Sequence, residues 1–289
     1  MKAAIMRDAK IVVDEMAIPV PGDGEVLVKT LACGICGSDL HALKHGHDMV
    51  QTSLETGGSF VMDLSQDIVM GHEFCAEILD YGPNTDSTLK PGTRVCSFPT
   101  TVHNGTLATV GYSNLVPGGY AENMLLTESV LLPVPNGLPT AHAALTEPMA
   151  VGLHAVRMAK LNRAEVPLVI GCGPVGLAVI AALKQTGVGP IIAVDYSAKR
   201  RELAELMGAD EIIDYNAVDF TQAVSDCDAV FETVGGETGL SCGCLRNTED
   251  QWCLRSDGGA ITGRRGPWTR CGSARWATSC DDLYTERLI

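Results

Sequence analysis

Short apolar runs separated by glycine and proline dominate the first half of the chain. Runs of this length, bounded by turn residues, predict β-strands. The predicted strands cover residues 2–6, 10–14, 25–31, 69–79 and 118–126, with one more after the turn at 91–92. Residues 43–65 are polar and contain glycine, which predicts a loop. Strands at this spacing favour a barrel-like all-β domain, which we assign to residues 1–150.

The pattern changes near Ala141, where apolar strands begin to alternate with helical segments. A helix is predicted within residues 143–161, starting near Pro148 because proline is tolerated only in the first helical turn. Further strands are predicted at 166–170, 190–195, 211–214 and 228–234, with helices at 177–185 and 198–207. This alternation predicts a parallel sheet with crossover helices, which we assign to residues 151–235.

Composition narrows the class of protein. Of 289 residues, 46% are hydrophobic and 19% are charged, as in a globular chain of about two domains. The formal net charge of −14 argues against nucleic acid as a partner. Charge interrupts the N-terminus before a signal-peptide apolar region forms, and the most apolar run, 168–183, is too short to span a bilayer. Because 11 unevenly placed cysteines argue against a disulfide framework, we expect a cytoplasmic protein without a membrane partner.

Two polar clusters carry candidate metal chemistry. Residues 36–41 hold a thiol, a hydroxyl, a carboxylate and an imidazole, and residues 71–73 read Gly-His-Glu. Cys, His and Glu suit Zn²⁺, and three protein ligands with one open position are typical of a catalytic site. In a chain with 11 Cys and 7 His these residues can also be unrelated. His45 and His47 form a further His-x-His pair, for which a solvated loop is favoured over a metal site because no third ligand is nearby.

A glycine-rich turn marks a dinucleotide site. Gly171, Gly173 and Gly176 form a G-x-G-x-x-G motif that follows a predicted strand and opens a predicted helix. The first glycine permits the tight turn, the second lets the backbone approach a pyrophosphate, and the third allows close helix packing. Asp195 ends the next strand, where it accepts hydrogen bonds from ribose hydroxyls and repels a 2′-phosphate, so NAD is favoured over NADP. Lys199 and Arg200 weaken this preference, and a flavodoxin-like sheet without nucleotide remains the alternative.

The chain resembles the zinc-dependent medium-chain dehydrogenase/reductase family, near its sorbitol and threonine dehydrogenase branches. The resemblance covers residues 1–235 and follows the family order of motifs. These are CGICGSDLH from Cys33, GHE from Gly71, PGTRV from Pro91, EPMAVGLH from Glu147 and GCGPVG from Gly171, which includes Pro174 and Val175. It implies an α/β fold, with a GroES-like β-barrel catalytic domain before a Rossmann doubly wound parallel sheet, truncated at the C-terminus. The resemblance also implies an active site in the cleft between the two domains.

The resemblance assigns roles to individual residues. It implies three zinc ligands, namely Cys36, His72 and Glu73. Glu147 occupies the position of a fourth ligand, or of a partner to the zinc-bound water, and otherwise is an exposed residue before a helix. Ser38 takes the substrate hydroxyl proton and His41 continues the relay, both supported by their spacing from Cys36. Asp39 supports the metal-ligand shell, or alternatively caps a helix starting at Leu40.

The implied function is oxidation of a primary or secondary alcohol or polyol, with hydride transfer to NAD. The alternative is a catalytically inactive remnant of such an enzyme. A zinc-free quinone or enoyl reductase on the same fold is disfavoured because all three implied zinc ligands are present. Cys33 is interpreted as a small buried residue and not as a ligand.

Three departures from the family pattern qualify this assignment. The interval from Cys36 to His72 is longer than in the family. Cys96 is the one cysteine within residues 96–117, so we predict a single catalytic zinc and no structural zinc. Residues 236–289 contain all three Trp and five of the 11 Cys but no Lys, His, Val, Phe or Met. We interpret this tail as a frameshifted or otherwise aberrant translation in which residues 258–262 resemble a fifth strand, and a zinc knuckle is the alternative. The sheet is then expected to end at residues 228–234, without the edge through which the family usually forms homo-oligomers.

Overall fold

The computed structural model describes residues 1–58, 60–217, 227–234, 252–255 and 276–277. The chain divides into two compact units, Met1–Glu147 and Pro148–Ile289. The strands of the first unit are β1 (Lys2–Arg7), β2 (Lys10–Glu15), β3 (Glu25–Cys33), β4 (Phe74–Tyr81), β5 (Arg94–Ser97), β6 (Thr100–His103), β7 (Thr106–Thr109), β8 (Asn123–Thr127) and β9 (Leu131–Pro133). Its helices are α1 (Gly37–Thr56), a 3₁₀ turn (Glu128–Val130) and α2 (Thr140–Ala143). Helix α3 (Thr146–Ala159) begins at the end of the first unit.

The first unit is built on antiparallel β structure, as the sequence predicts. Its main sheet has the strand order β8-β3-β4-β5-β9, and β1 pairs with β2 in a separate hairpin. Alternate residues of β3 and β4 face a buried core that includes Val26, Val28, Ala76 and Ile78, all fully buried. This alternation has the period of two expected when one face of a strand is buried.

The predicted loop over residues 43–65 is wrong, because α1 extends through most of it. The helix kinks at His45, where the backbone is non-helical, and it leaves His45 and His47 exposed. Its buried positions are Asp39, Ala42, Gly46 and Ser53. These residues are small or polar, so the buried face lacks the stripe of large apolar residues by which a helix is recognised from sequence.

The Gly-His-Glu cluster precedes a strand instead of lying within it, which corrects the prediction for residues 69–79. Strand β4 starts at Phe74, and the preceding residues pair with the loop before β8. Gly118 N–H donates to Val69 O at 2.9 Å, and Tyr120 N–H donates to Met70 O at 3.0 Å. Because these two segments bond to each other outside the main sheet, the predicted strand at 118–126 also begins later, at Asn123.

The buried carboxylate of Glu25 anchors the hairpin of β6 and β7. This hairpin lies within residues 96–117, where Cys96 is the one cysteine. Glu25 is 1% exposed and lies 3.0 Å from Nδ1 of His103, on the hairpin. The same carboxylate accepts the Gly22 N–H at 2.8 Å and the Thr101 hydroxyl at 3.3 Å. A buried charge is tolerated only when it is paired and hydrogen-bonded in this way, so the network ties the hairpin to β3.

The second unit contains a parallel sheet. Its elements are β10 (Pro167–Ile170), α4 (Pro174–Thr186), β11 (Ile192–Asp195), α5 (Ala198–Met207), β12 (Glu211–Asp214), β13 (Ala229–Glu232), β14 (Trp252–Arg255) and β15 (Trp276–Ala277). The described strands have the order β12-β11-β10-β13-β14-β15, all parallel. This order, 3-2-1-4-5-6 by position in the chain, is that of doubly wound dinucleotide-binding sheets, in which ligands bind where the order reverses, beside β10.

The sheet does not end at β13, which corrects the expectation of an uncovered edge at residues 228–234. Strand β14 pairs with β13, with Phe231 opposite Leu254, and β15 pairs with β14. The sequence analysis missed both strands because they lie in a Trp-, Cys- and Gly-rich stretch without apolar alternation. The strand-like residues 258–262, the possible zinc knuckle and most of the aberrant tail lie outside the described residues.

The most apolar run of the sequence becomes β10 and α4. Helix α4 covers 13 residues and ends at Thr186, and the residue that caps it, Gly187, has a φ of 73° that suits glycine. In the ranges that the structure describes, none of the helices combines the length and the apolar character that crossing a bilayer requires.

Candidate metal centre and dinucleotide turn

Three predicted metal ligands come together in the first unit. The ligand atoms of Cys36, His72 and Glu73 all lie within 4.8 Å of one another. Zinc bonds of about 2.0–2.3 Å place tetrahedral ligand atoms roughly 3–4 Å apart, so small side-chain movements close this set around one ion. Cys36 lies directly before α1, and His72 and Glu73 lie directly before β4. Strand β3 pairs with β4 and leads into α1, so it brings the two segments together. Within the described part of the chain no other group of three such residues meets this criterion.

Asp39 links two of these ligands. Its carboxylate is 2% exposed and accepts the Cys36 N–H on Oδ2 at 3.0 Å. Its Oδ1 lies 3.5 Å from Nδ1 of His72, which is buried and makes no hydrogen bond of its own. The helix starts at Gly37 with Cys36 as its N-cap, so Asp39 does not cap a helix starting at Leu40. Asp39 is the third helical residue, closes a capping box onto the Cys36 N–H, and also faces the candidate ligand His72. With Nδ1 beside a carboxylate, Nε2 is the imidazole nitrogen available to a metal.

The electrostatics of the cluster favour a cation. Burial alone lowers the pKa of His72, but the neighbouring Asp39 and Cys36 raise it to about 10. Burial raises the pKa of Glu73, and the nearby imidazole opposes this shift. The acidic groups around His72 favour positive charge at this place, which a bound metal ion would also supply.

Glu147 lies in the first turn of α3, outside the group of three. Burial raises the pKa of its carboxyl, an effect that His72 opposes and that Glu73 and Asp39 reinforce. The Glu147 carboxylate therefore interacts electrostatically with the candidate ligands but is not gathered with them. Cys33 is half-buried, donates to Gly34 O at 3.4 Å and has its pKa raised by burial to about 12, as expected of a thiol that is not a ligand.

Ser38 and His41 both lie on α1 but have different surroundings. The Ser38 hydroxyl accepts a hydrogen bond from Tyr112 at 2.7 Å. His41 is exposed, and its ring lies 5.0 Å from that of His45. Among the described residues no hydrogen bond joins Ser38 to His41, so the two predicted relay residues are not in direct contact.

The sequence analysis did not identify two site residues, Tyr112 and Tyr120. The Tyr112 hydroxyl also lies 3.1 Å from Oδ1 of Asp39, and the Tyr120 hydroxyl donates to Oδ2 at 2.8 Å. Burial raises the pKa of both phenols, so both remain protonated donors. Tyrosines in loops carry no motif that could have identified them, because their role depends on contacts across 73 and 81 residues of chain.

We expect Gly34→Ala to weaken zinc binding without removing a ligand. A Cβ at Gly34 would lie 2.1 Å from Oε2 of Glu73 and 3.2 Å from its Cβ, so the carboxylate must leave its present position in the group with Cys36 and His72. The expected loss of affinity is about 10–100-fold, as for other disturbances of a metal site's supporting contacts. Chelator competition measures it. Gly37→Ala is the matched control, because a Cβ there meets no atom within 4 Å, and equal affinities in both variants would contradict the prediction.

The second unit contains the predicted glycine turn between β10 and α4. Gly171 has a φ of 91°, and its N–H donates to Val194 O at 2.8 Å. Gly173 precedes α4 with open space beside it, while a Cβ at Gly176 would lie 1.9 Å from Gly171 O. Thr233, which the sequence analysis did not single out, donates from its hydroxyl to Gly171 O at 2.7 Å. Pro174 and Val175 form the first turn of α4, whose free N–H groups suit a phosphate.

Asp195 ends β11 beside this turn. Its carboxylate is buried and accepts the N–H of Cys172 at 2.8 Å and that of Ser197 at 2.7 Å. Arg200 Nη1 lies 3.8 Å from Oδ2, and the Arg200 side chain is half-exposed. Arg201 donates to the Asp195 carbonyl at 3.0 Å and forms an ion pair with Asp214. Asp195 therefore holds the turn to the sheet in addition to its predicted role toward ribose.

Comparison with known proteins identifies both units. Residues 22–136 match the alcohol dehydrogenase GroES-like domain, and residues 174–243 match the zinc-binding dehydrogenase domain. Sorbitol dehydrogenase of Bacillus subtilis is 32% identical over 259 residues, which are 83% of this chain and 70% of that protein. The (R,R)-butanediol dehydrogenase of the same bacterium is 36% identical over 72% of this chain and 62% of its own length, so the match leaves over a third of that relative uncovered.

A solved structure agrees with these matches. The structure of 2R,3R-butanediol dehydrogenase from Bacillus subtilis aligns with a TM-score of 0.77 at 28% identity, covering 98% of this chain and 85% of that one. The family domains, the relatives and the solved structure agree with the family that the sequence motifs resemble. The chain belongs to the zinc-type medium-chain alcohol dehydrogenase family.

Proposed function

We propose that this chain is a zinc- and NAD-dependent oxidoreductase that oxidises a primary or secondary alcohol or polyol to the aldehyde or ketone. The convergence of Cys36, His72 and Glu73 is the observation that carries this proposal. The relatives named for sorbitol and (R,R)-butanediol support small alcohols and polyols as substrates. They also favour an active oxidoreductase over the inactive remnant that the sequence left open.

Cys36, His72 and Glu73 would hold one zinc ion, with the fourth position open to substrate. When bound, zinc supplies a Lewis acid for the substrate oxygen and NAD supplies the hydride acceptor. Glu147 stands near enough to interact with His72 and is assigned as the exchangeable fourth ligand or the partner of bound water. Cys96 is buried and its thiol donates to Ala143 O at 3.1 Å. A single catalytic zinc without a structural zinc stays a prediction from sequence.

Residues of the chain itself accept the proton and bind the cofactor. Ser38 is assigned to accept the substrate hydroxyl proton while it releases its own, and His41, exposed on the same helix, is assigned to exchange the released proton with solvent. Asp39 keeps the His72 ring in one orientation. The N–H groups at the start of α4 and the open space at Gly173 receive the pyrophosphate, and Asp195 receives the ribose. A cytoplasmic location stays a prediction from sequence, as does the loss of the edge through which the family usually forms homo-oligomers.

An activity screen tests the function. The zinc-loaded full-length chain is incubated with NAD or NADP and with sorbitol, butanediols, threonine and simple alcohols, and reduced nicotinamide is followed by absorbance. We expect turnover with at least one secondary alcohol or polyol, dependent on zinc and faster with NAD. A folded, zinc-loaded chain that reduces neither cofactor with any of these alcohols would overturn the proposal in favour of the inactive remnant.

Asp195→Asn is expected to lower the preference for NAD over NADP by about tenfold or more, the effect of roughly 1.4 kcal/mol in relative binding. The substitution removes the negative charge that repels a 2′-phosphate, and it releases Arg200 from its 3.8 Å ion pair. The ratio of kcat/KM for the two cofactors measures the change. Asp214→Asn, at the paired position on β12, is the matched control. An unchanged ratio in Asp195→Asn would contradict the role of Asp195.

A further inference from the structure

We propose that Tyr112 and Tyr120 are positioning residues of the metal centre. Their two hydroxyls form a clamp on Asp39, and this clamp sets the zinc affinity of the centre. The clamp consists of these two phenol groups and the Asp39 carboxylate between them. This inference rests on the proposed function, because it assumes that Cys36, His72 and Glu73 hold zinc.

The contacts around Asp39 define the clamp. Tyr120 donates to Oδ2 at 2.8 Å, and the Tyr112 hydroxyl lies 3.1 Å from Oδ1. The backbone N–H of Cys36 also donates to Oδ2 of Asp39, at 3.0 Å. Each carboxylate oxygen therefore has its own phenol, and the carboxylate plane is held so that Oδ1 faces Nδ1 of His72.

Burial makes these hydroxyls important. Asp39 is 2% and Tyr112 is 3% exposed, so water does not compensate for a lost donor as it would at the surface. A buried carboxylate with a missing donor must rotate toward its remaining partners or lose its charge. Either change weakens the carboxylate–imidazole contact that orients His72 as a ligand, since outer partners of this kind fix the ring and its tautomer.

The clamp is also held rigidly by its surroundings. Tyr120 N–H donates to Met70 O, and Gly119 N–H donates to Gly71 O at 2.7 Å, so the Tyr120 backbone is bonded to the segment that carries His72. A Cβ at Gly71 would lie 2.7 Å from the Tyr120 ring, which shows how closely the ring approaches this segment. Tyr112 is fixed from another side by an edge-to-face contact with Phe60, with ring centroids 5.0 Å apart.

Tyr112 makes a second contact that distinguishes the two phenols. Its hydroxyl donates to Oγ of Ser38 at 2.7 Å, so one proton is shared between Ser38 and Asp39. Tyr112 therefore connects the proposed proton acceptor with the carboxylate that orients His72. Tyr120 has no such contact, since its hydroxyl reaches Asp39 and Gly34 O.

Zinc affinity tests the clamp independently of turnover. Competition with a chromophoric chelator is measured for the wild type, Tyr112→Phe, Tyr120→Phe, Asp39→Asn and each Phe variant combined with Asp39→Asn. The same titration of Cys36→Ser measures zinc held by other cysteines and is subtracted. Tyr81→Phe is the matched control, because it removes a tyrosine hydroxyl bonded to Leu89 O, away from the metal ligands.

We expect each single Phe variant to weaken zinc binding by about tenfold, while Tyr81→Phe has no effect. In the Asp39→Asn background neither Phe substitution should cause a further loss, because the clamp acts through the carboxylate. Cobalt absorption spectra should shift in Tyr112→Phe and Tyr120→Phe, which reports altered ligand geometry. If one variant does not fold, the other decides the outcome.

Two results would overturn the clamp. One is zinc affinity within twofold of the wild type in the folded Phe variants, and the other is an equal loss with and without Asp39→Asn. A wild type that binds no more zinc than Cys36→Ser would overturn both the clamp and the proposed metal centre. A wild type without turnover, whose Phe variants still lose zinc affinity as expected, would overturn the proposed function and support the clamp.

Discussion

Cys36→Ser is expected to remove the bound zinc and to lower kcat/KM for alcohol oxidation by about 1,000-fold or more. Serine offers a neutral hydroxyl in place of a thiolate, which leaves His72 and Glu73 as the remaining members of the ligand group. A Lewis acid contributes several kcal/mol to stabilising the developing charge on oxygen, and about 4 kcal/mol corresponds to a 1,000-fold change in rate. Zinc content per chain and steady-state kinetics, measured on the same preparation, test both parts of the prediction.

Cys33→Ser provides the matched control for this substitution. Cys33 lies three residues before Cys36, is half-buried and bonds to Gly34 O, but it is not among the gathered ligands. We expect its zinc content and kcat/KM to match those of the wild type. A Cys36→Ser protein that keeps its zinc and its activity would place the metal elsewhere and refute the assigned ligand set.

Gly176→Ala is expected to destabilise the second unit by about 3 kcal/mol or more and to abolish NAD binding. The added Cβ would lie 1.9 Å from Gly171 O and 2.8 Å from the Thr233 hydroxyl, and the backbone oxygen cannot move without opening the turn. Two hydrogen bonds that hold the turn, from Gly171 N–H and from the Thr233 hydroxyl, would be strained together. Thermal unfolding with and without saturating NAD measures the loss of stability and of the ligand-induced rise in midpoint.

Gly173→Ala separates the fold of this turn from its binding function. Gly173 has a φ of −72°, and a Cβ there meets nothing within 4 Å, so the unfolding midpoint without NAD should match that of the wild type. The methyl group would occupy the space through which a pyrophosphate approaches the backbone, so NAD should raise the midpoint much less. A Gly173→Ala protein stabilised by NAD as strongly as the wild type would show that the cofactor does not bind at this turn.

Local sequence patterns were sufficient to predict the second unit from β10 to β13. Strand β12 and helix α5 have the predicted boundaries, and the Gly171–Gly176 turn follows β10 as expected. Buried parallel strands are continuous apolar runs, and the turn glycines are dictated by backbone sterics, so both can be read from adjacent residues. The pairing of β14 with β13 could not be read in this way, because strand pairing joins residues that are distant in sequence and β14 has no apolar period.

By itself, the sequence determined the family resemblance, the three candidate zinc ligands and the presence of the parallel strands up to β13, since each depends on residue type and short spacing. Only the tertiary structure decided that residues 43–56 are helical, because the buried face of α1 is formed by small residues whose partners are elsewhere in the chain. The tertiary structure also decided that Asp39 faces His72 and that Tyr112 and Tyr120 hold it. These contacts form only when segments that are far apart in the chain pack together and exclude water, so no local sequence pattern predicts them.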